Sequence, residues 1–206
     1  MKATHVRRVG EALLPTDHGE FRCLAFESGG LHHLALVIGR VASQEDVLVR
    51  VHSECLTGDI FRSRRCDCGA QLDDAMRRIA GEGSGAVIYL RGHEGRGIGI
   101  GPKLRAYRLQ ELGRDTVDAN LELGFPVDDR EYGAAAGILA DLEVSSVRLL
   151  TNNPAKCAGL AANGVQIVAR ESLPTAPTPE NLRYLRTKRA RLDHMLDDLD
   201  DAAVMT

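Results

Sequence analysis

The chain has 206 residues, 44% of them hydrophobic and 27% charged, with 26 Lys and Arg against 29 Asp and Glu for a formal net charge of −3. A chain of this length buries about 70% of the surface it exposes when unfolded, enough for one sizeable core, and the composition excludes wholesale disorder. The near-balanced charge, 4% aromatic content and absence of Trp argue against a nucleic-acid binder or a membrane-surface protein, so any anion site has to be built locally.

No apolar run approaches the roughly 20 residues of a membrane helix. The N-terminal residues MKATHVRRVGEALLPTDHGEF carry no apolar core of a secretory signal. Five cysteines, an odd number, fit a reducing, cytoplasmic setting better than a disulfide framework.

Residues 34–38 (LALVI) and 47–51 (VLVRV) are strand-sized runs rich in branched side chains, separated by Gly39 and a polar stretch. Leu72, Ala75, Met76 and Ile79 fall at helical spacing, and the glycines of 81–85 end that helix. Residues 86–90 (AVIYL) form a strand leading into the most glycine-dense part of the chain. Pro102 opens a helix with Leu104, Tyr107 and Leu112, and Ala135, Ile138, Leu139 and Leu142 mark another. Strands over 147–150 and 165–169 flank a helix over 155–163. After the proline-broken residues 173–181, a last helix carries the apolar stripe Leu185, Leu192, Met195 and Leu199, with a solvated acidic end near Asp197. The pattern predicts an α/β (α+β) single domain, a mixed sheet with flanking helices. Its boundaries are 1–172 for the main body and 173–206 for the proline-broken linker and C-terminal helix.

Four segments carry chemistry. Cys55, Cys66 and Cys68 offer three thiolates with the spacing of a metal site. An open catalytic zinc, a structural zinc closed by His52, and plain buried thiols all remain compatible with that spacing. Three thiolates leave a zinc site anionic, and Arg62, Arg64 and Arg65 stand ready to offset the charge. The run RGHEGRGIGIG at 91–101 sits between strand and helix, a context for anion binding. It matches neither G-x-G-x-x-G nor G-x-x-x-x-G-K-[ST], and a loop needing positive φ explains the glycines equally well. Glu94 beside Arg96 suits a guanine edge and a phosphate. In 128–131 (DDRE), Asp128 followed three residues later by Glu131 is the pattern of a capping box, which the local sequence favours over a catalytic Asp and a phosphate-binding Arg130. Finally, TNNPAK at 151–156 ends a strand and starts a helix, where ligands of α/β sheets bind.

Taken together, LPTDHGEF, HHLALVIG, RVHSECLTGD, RCDCGAQL, YLRGHEGRGIG, KLRAYRLQ, DTVDANLELGFPVDDREY, RLLTNNPAK and NLRYLRTK resemble the GTP cyclohydrolase II family, which opens riboflavin biosynthesis. The resemblance implies a homodimeric cytoplasmic enzyme with one Zn²⁺ per chain, on Cys55, Cys66 and Cys68 in an open catalytic site, and Mg²⁺ with the nucleotide. It implies GTP contacts at Arg50, Val51, His52, Ser53, Glu54, Gln71, Glu94, Gly95, Arg96, Thr116, Thr151 and Lys156. Its catalytic positions fall on Tyr107, on Asp128 as proton acceptor and on Arg130 as nucleophile. The last role is chemically awkward, because a guanidinium stays protonated. The reaction implied is zinc-dependent hydrolysis of GTP with release of formate and pyrophosphate, giving 2,5-diamino-6-(5-phosphoribosylamino)pyrimidin-4(3H)-one.

The chain departs from the family in three places. The dihydroxybutanone-phosphate synthase domain of bifunctional members has no counterpart here, the loop at Gly92 and His93 is one residue longer than in short forms, and Arg191-Leu-Asp-His194 replaces an Arg-Met-Gly-His. Cys23 and Cys157 fall outside the ligand set and are expected to be structural. Two alternatives stay open: a paralogue that stops at the formamidopyrimidine nucleotide, and a non-catalytic zinc-stabilised nucleotide-binding module.

Overall fold

A computed structural model describes residues 4–175, 177–196 and 199. Backbone contacts gather them into two compact units, each assembled from three stretches of chain. The first takes residues up to His52, Asp73–Arg91 and Glu131–Leu173; the second takes Ser53–Leu72, Gly92–Arg130 and the chain from Pro174.

The first unit is built on a seven-stranded mixed sheet. Its strands are β1 (Arg7–Thr16), β2 (Gly19–Ser28), β3 (Leu31–Ile38), β4 (Val47–Ser53), β5 (Gly85–Leu90), β6 (Val147–Leu150) and β7 (Ile167–Glu171), in the order β1-β2-β3-β5-β4-β6-β7. The β1/β2, β2/β3 and β3/β5 pairs are antiparallel, whereas β4/β6 and β6/β7 are parallel. The branched residues of β4 and β5, Val49, Val51, Ile88 and Leu90, are fully buried and pack in one cluster with Leu24, Phe26 and Val37. Ile138 and Leu139 of α5 (Gly133–Asp141) and Leu160 of α6 (Pro154–Ala162) close over it. Each such side chain contributes about 1.5–3 kcal/mol by leaving water.

Helix α6 starts where the sequence places it, with Pro154 in the first turn and the Asn153 side chain accepting from the Ala155 N–H at 3.0 Å. The strand after it begins two residues later than predicted. The Val165 N–H is used to close the helix end on the Leu160 carbonyl, and Gly164 turns there at φ +88°. The capping box at Asp128 does not form. Helix α5 begins at Gly133 with Tyr132 at its N-cap and no side-chain cap. A Cβ on Gly133 would lie 2.0 Å from the Thr4 hydroxyl oxygen, so position 133 admits only glycine without displacing the N-terminal segment. The β1–β2 hairpin was not predicted. β1 is exposed along nearly its whole length, so it lacks the alternation that betrays a half-buried strand.

The second unit is helical: α1 (Leu56–Asp59), α3 (Ile100–Glu111), α4 (Thr116–Glu122) and α7 (Leu182–Leu192), a 3₁₀ turn at Glu94–Arg96, and the opening of α2 (Cys68–Glu82). α2 follows its predicted spacing. α3 departs from expectation: Leu104 and Leu112 are 53% and 65% exposed, while Lys103 and Ala106 are buried. The inward face of this helix thus carries a lysine beside a small alanine, not the leucines. α4 went unpredicted, although Asp115 caps it by accepting from the Asp118 N–H at 2.8 Å.

The last helix stops at Leu192 because Asp193 turns left-handed at φ +51°, and the His194 N–H closes the end on the Lys188 carbonyl. The predicted stripe breaks accordingly. Leu185 and Leu199 are buried with Leu196, while Met195 is 44% exposed. Asp197 lies outside the described residues. Among those residues, no helix is long and apolar enough to cross a membrane.

Candidate metal centre

The second unit brings Cys55, Cys66 and Cys68 together, their sulfur atoms all within 4.8 Å of one another. Cys55 sits at the N-cap of α1 and Cys68 opens α2, so two helix starts and one loop residue supply the three thiols. The packing depends on glycine: a Cβ on Gly58 would lie 2.8 Å from the Cys66 sulfur, 3.1 Å from the Cys68 Cβ and 3.2 Å from the Cys55 sulfur. Hydrogen bonds from Cys66 and Cys68, aided by Lys103 and a backbone amide and opposed by burial, hold the Cys55 thiol far below its usual range. Their reciprocal effect, with burial, pushes Cys66 up to about 11 and raises Cys68 as well. Three convergent soft donors of this kind fit a zinc ion.

Lys103 faces this cluster. Its ammonium donates to the Cys55 sulfur at 3.2 Å, to the Thr57 hydroxyl at 2.8 Å and to Glu94 Oε1. The other Glu94 oxygen accepts from the Leu56 N–H at 2.6 Å. Burial would lower the Lys103 pKa, but the Cys55 thiolate, Tyr107 and Glu94 together outweigh it and keep the charge in place.

Glu94, which the sequence sets beside Arg96 as a group for a guanine edge, forms its ion pair with Lys103. Two of the three arginines expected to offset the thiolates, Arg64 and Arg65, pair elsewhere in the unit. Arg64 pairs with Glu180 at 3.0 Å, and Arg65 pairs with Glu111 at 2.6 Å and stacks its guanidinium 4.8 Å from the Tyr107 ring centre. Lys103 carried no motif of its own. Its one legible signal is its place four residues before Tyr107, on the same helix face.

Tyr107 directs its hydroxyl at Thr57 Oγ1, 3.4 Å away, and burial raises its pKa so that it stays protonated. Asp128 binds Arg130 through both carboxylate oxygens, with Nε at 2.8 Å and the backbone N–H at 3.1 Å on Oδ1, and Nη2 on Oδ2. Burial opposes this arrangement, but the guanidinium prevails and the Asp128 pKa falls. The glycine-rich loop rests on the same stretch, its Arg96 carbonyl accepting from the Asp129 N–H at 3.1 Å. Gly92, Gly95, Gly97 and Gly99 all adopt positive φ, so backbone conformation alone accounts for those glycines.

The remaining predicted GTP contacts divide between the units. In the second, Ser53 Oγ lies 3.1 Å from His93 Nδ1, and Glu54 accepts from the Gly92 N–H at 2.8 Å, which joins two of the predicted segments. Gln71 is buried and donates to Asp67 at 2.7 Å, and Thr116 opens α4. In the first unit, Arg50 and Val51 lie on β4, where Arg50 donates to the Leu150 carbonyl at 2.9 Å. Lys156, buried at the start of α6, donates to the Val51 carbonyl, and the buried Thr151 hydroxyl accepts from the Asn153 N–H at 3.1 Å. His52, the candidate fourth ligand of a closed site, stacks on Tyr89 with ring centres 5.4 Å apart. Burial raises the pKa of Cys23 and Cys157, which keeps both thiols protonated and fits a structural role.

Several known proteins resemble this chain. The riboflavin biosynthesis protein RibBA of Mycobacteroides abscessus is 59% identical over 203 residues, covering 96% of this chain and 49% of that protein. The protein of the same name from Mycobacterium avium is 58% identical over 203 residues, covering 96% and 48%. The chain thus spans about half the length of the curated relatives it matches. Among solved structures, RibBX, a two-domain 3,4-dihydroxy-2-butanone 4-phosphate synthase from A. baumannii, aligns with a TM-score of 0.48 at 21% identity, over 85% of this chain and 41% of that one. The family profile described as GTP cyclohydrolase II matches residues 7–172, which include the three convergent cysteines, the glycine-rich loop and Tyr107. The chain belongs to the GTP cyclohydrolase II family.

Proposed function

We propose that this chain hydrolyses GTP at a zinc ion held by Cys55, Cys66 and Cys68, opening the imidazole ring and releasing formate and pyrophosphate. The product would be 2,5-diamino-6-(5-phosphoribosylamino)pyrimidin-4(3H)-one, in the first step of riboflavin biosynthesis. The observation that carries the proposal is the convergence of three sulfur atoms within 4.8 Å in a member of this family. When bound, zinc would supply the Lewis acidity that lowers the pKa of its water toward about 7. The resemblance adds Mg²⁺ on the nucleotide, a homodimer and a cytoplasmic location.

The roles given to the chain's own groups rest on the resemblance, with support from their surroundings for Tyr107 and Arg130. Tyr107, kept protonated by burial, is a proton donor at the opening ring, its hydroxyl set beside Thr57. The resemblance counts Glu94, Gln71, Arg50, Arg96 and Lys156 among the GTP contacts. Asp128 is a weak base while Arg130 holds it ionised, and the paired guanidinium is a poor nucleophile. Arg130 is therefore assigned as a phosphate contact that Asp128 orients.

The test is purified protein with GTP and Mg²⁺, with and without a zinc chelator, following formate, pyrophosphate and purine absorbance together. Chelator-sensitive formate release matched by pyrophosphate is expected. Ring opening without formate would assign the truncated reaction, and unchanged GTP would reduce the chain to a binding module.

A further inference from the structure

We propose that Lys103 is the cation that sets the electronic character of the three-thiolate site, acting through a hydrogen bond to the Cys55 sulfur. The inference rests on the reading of Cys55, Cys66 and Cys68 as metal ligands, and it concerns a residue outside that ligand set. A zinc ion with three thiolates carries a net negative charge, which blunts its Lewis acidity. The protein can recover that acidity by drawing electron density from a sulfur with an N–H donor. Among the described residues in hydrogen-bond reach of these sulfurs, Lys103 supplies the charged one, its ammonium 3.2 Å from Cys55 Sγ.

The geometry shows why the ammonium stays there. An ammonium has three N–H donors, and Lys103 commits them to Cys55, Thr57 and Glu94. Glu94 is itself pinned by the Leu56 N–H at 2.6 Å and the Gly95 N–H at 3.2 Å. Leu56 and Thr57 directly follow Cys55, so the carboxylate, the ammonium and the ligand are locked to one short stretch of chain. A lysine is 7% exposed here on a helix whose leucines face outward, an expensive inversion unless the charge serves the site. The same ammonium lies 5.5 Å from the centre of the Tyr107 ring. It thereby joins the metal ligands to the proposed proton donor.

The experiment compares wild type, Lys103→Met and Lys103→Arg, each loaded with Co²⁺ in place of zinc, by the thiolate-to-cobalt charge-transfer band in the near ultraviolet. Removing the N–H donor leaves Cys55 richer in electrons. The band of Lys103→Met should move to longer wavelength, and the Arg variant, which keeps a charged donor, should move back toward wild type. Alkylation of the metal-loaded sulfurs by iodoacetamide should be faster in Lys103→Met, since an electron-rich thiolate is the better nucleophile. Thermal melting is recorded alongside. A lysine that serves only to pair Glu94 would lower the melting temperature and leave band and alkylation unchanged, which overturns the proposal. Should Lys103→Met not fold, the double variant Glu94→Gln/Lys103→Met, which leaves neither a buried carboxylate unpaired nor an N–H donor at position 103, carries the same readings. Wild-type protein that takes up no Co²⁺ would overturn the metal reading itself, and Lys103's role with it.

Discussion

Three thiols, one lysine and one tyrosine carry the chemistry proposed for the second unit, and each can be tested alone. Cys66→Ser removes a soft donor from a set of three, so zinc should be lost and ring opening abolished. Nucleotide binding should survive in part, because Arg50, Thr151 and Lys156 are untouched. Zinc content by mass spectrometry of metals and GTP turnover together check this, and unimpaired turnover would remove the metal reading. Tyr107→Phe deletes one hydroxyl from a buried ring whose partner is Thr57 at 3.4 Å. A positioned proton donor contributes about 100-fold or more. Formate release should fall by that order while pyrophosphate release falls less, and equal loss of both would count against the role. The cysteines stand out in the sequence by their spacing as well as by the resemblance, and Tyr107 by the resemblance alone. Lys103 does not, because what distinguishes it is burial, which no local pattern announces. Glu94 stands out in the sequence as an acid in a glycine-rich loop, but its partner does not: Lys103, nine residues on in the next helix, reaches the carboxylate.

At the scale of elements, periodicity is a good guide wherever one face of a helix or strand is apolar. α2, α5, α6 and the strands β3 to β6 all have such a face, and their predicted extents stand close to those observed. It fails where the buried face carries a lysine, as on α3, where the strand has no buried face, as on β1, and where a turn of left-handed backbone ends a helix early, as at Asp193. The proline-broken stretch at 173–181 is read correctly as a connection, yet the role of the helix after it is invisible to the sequence. On α7, Lys188 donates to Asp67 at 2.7 Å, and both side chains are buried. Asp67 stands between Cys66 and Cys68 and also accepts from Gln71 at 2.7 Å. α7 thus fixes the loop that presents two of the three thiols. Lys188→Met strands a buried carboxylate and should destabilise the protein by about 3–5 kcal/mol. Metal retention should weaken about 10–100-fold, as for other groups that orient ligands. Asp67→Asn/Lys188→Met should recover melting temperature without recovering retention, measured by competition with a chromophoric chelator. Retention equal to wild type in either variant would make the pair a matter of stability alone.

For the molecule as a whole, net charge of −3 says little about acid behaviour, because single buried groups weigh more than the total. His194 is the clearest of them. Burial, followed by the positive charges of Lys188, Arg96 and Arg130, pushes its pKa down to about 3. Its Nδ1 lies 3.0 Å from the Leu192 carbonyl, consistent with a neutral ring that donates there. In the unfolded chain the ring titrates normally, near 6.5. Above that pH neither state binds the proton, and the histidine costs nothing. Below it the unfolded chain takes up a proton that the folded protein refuses, so stability drains away as the pH falls from 6.5 toward 3. At pH 5 the loss amounts to about 2 kcal/mol. His194→Gln, which cannot be protonated, should lose less stability than wild type between pH 7 and pH 5. Acid release of metal bears on both proteins alike, so the difference between their urea midpoints at each pH isolates the ring. Parallel pH profiles would show that His194 titrates in the folded protein much as it does in the unfolded chain, and that the three cations around it are held farther from the ring in solution.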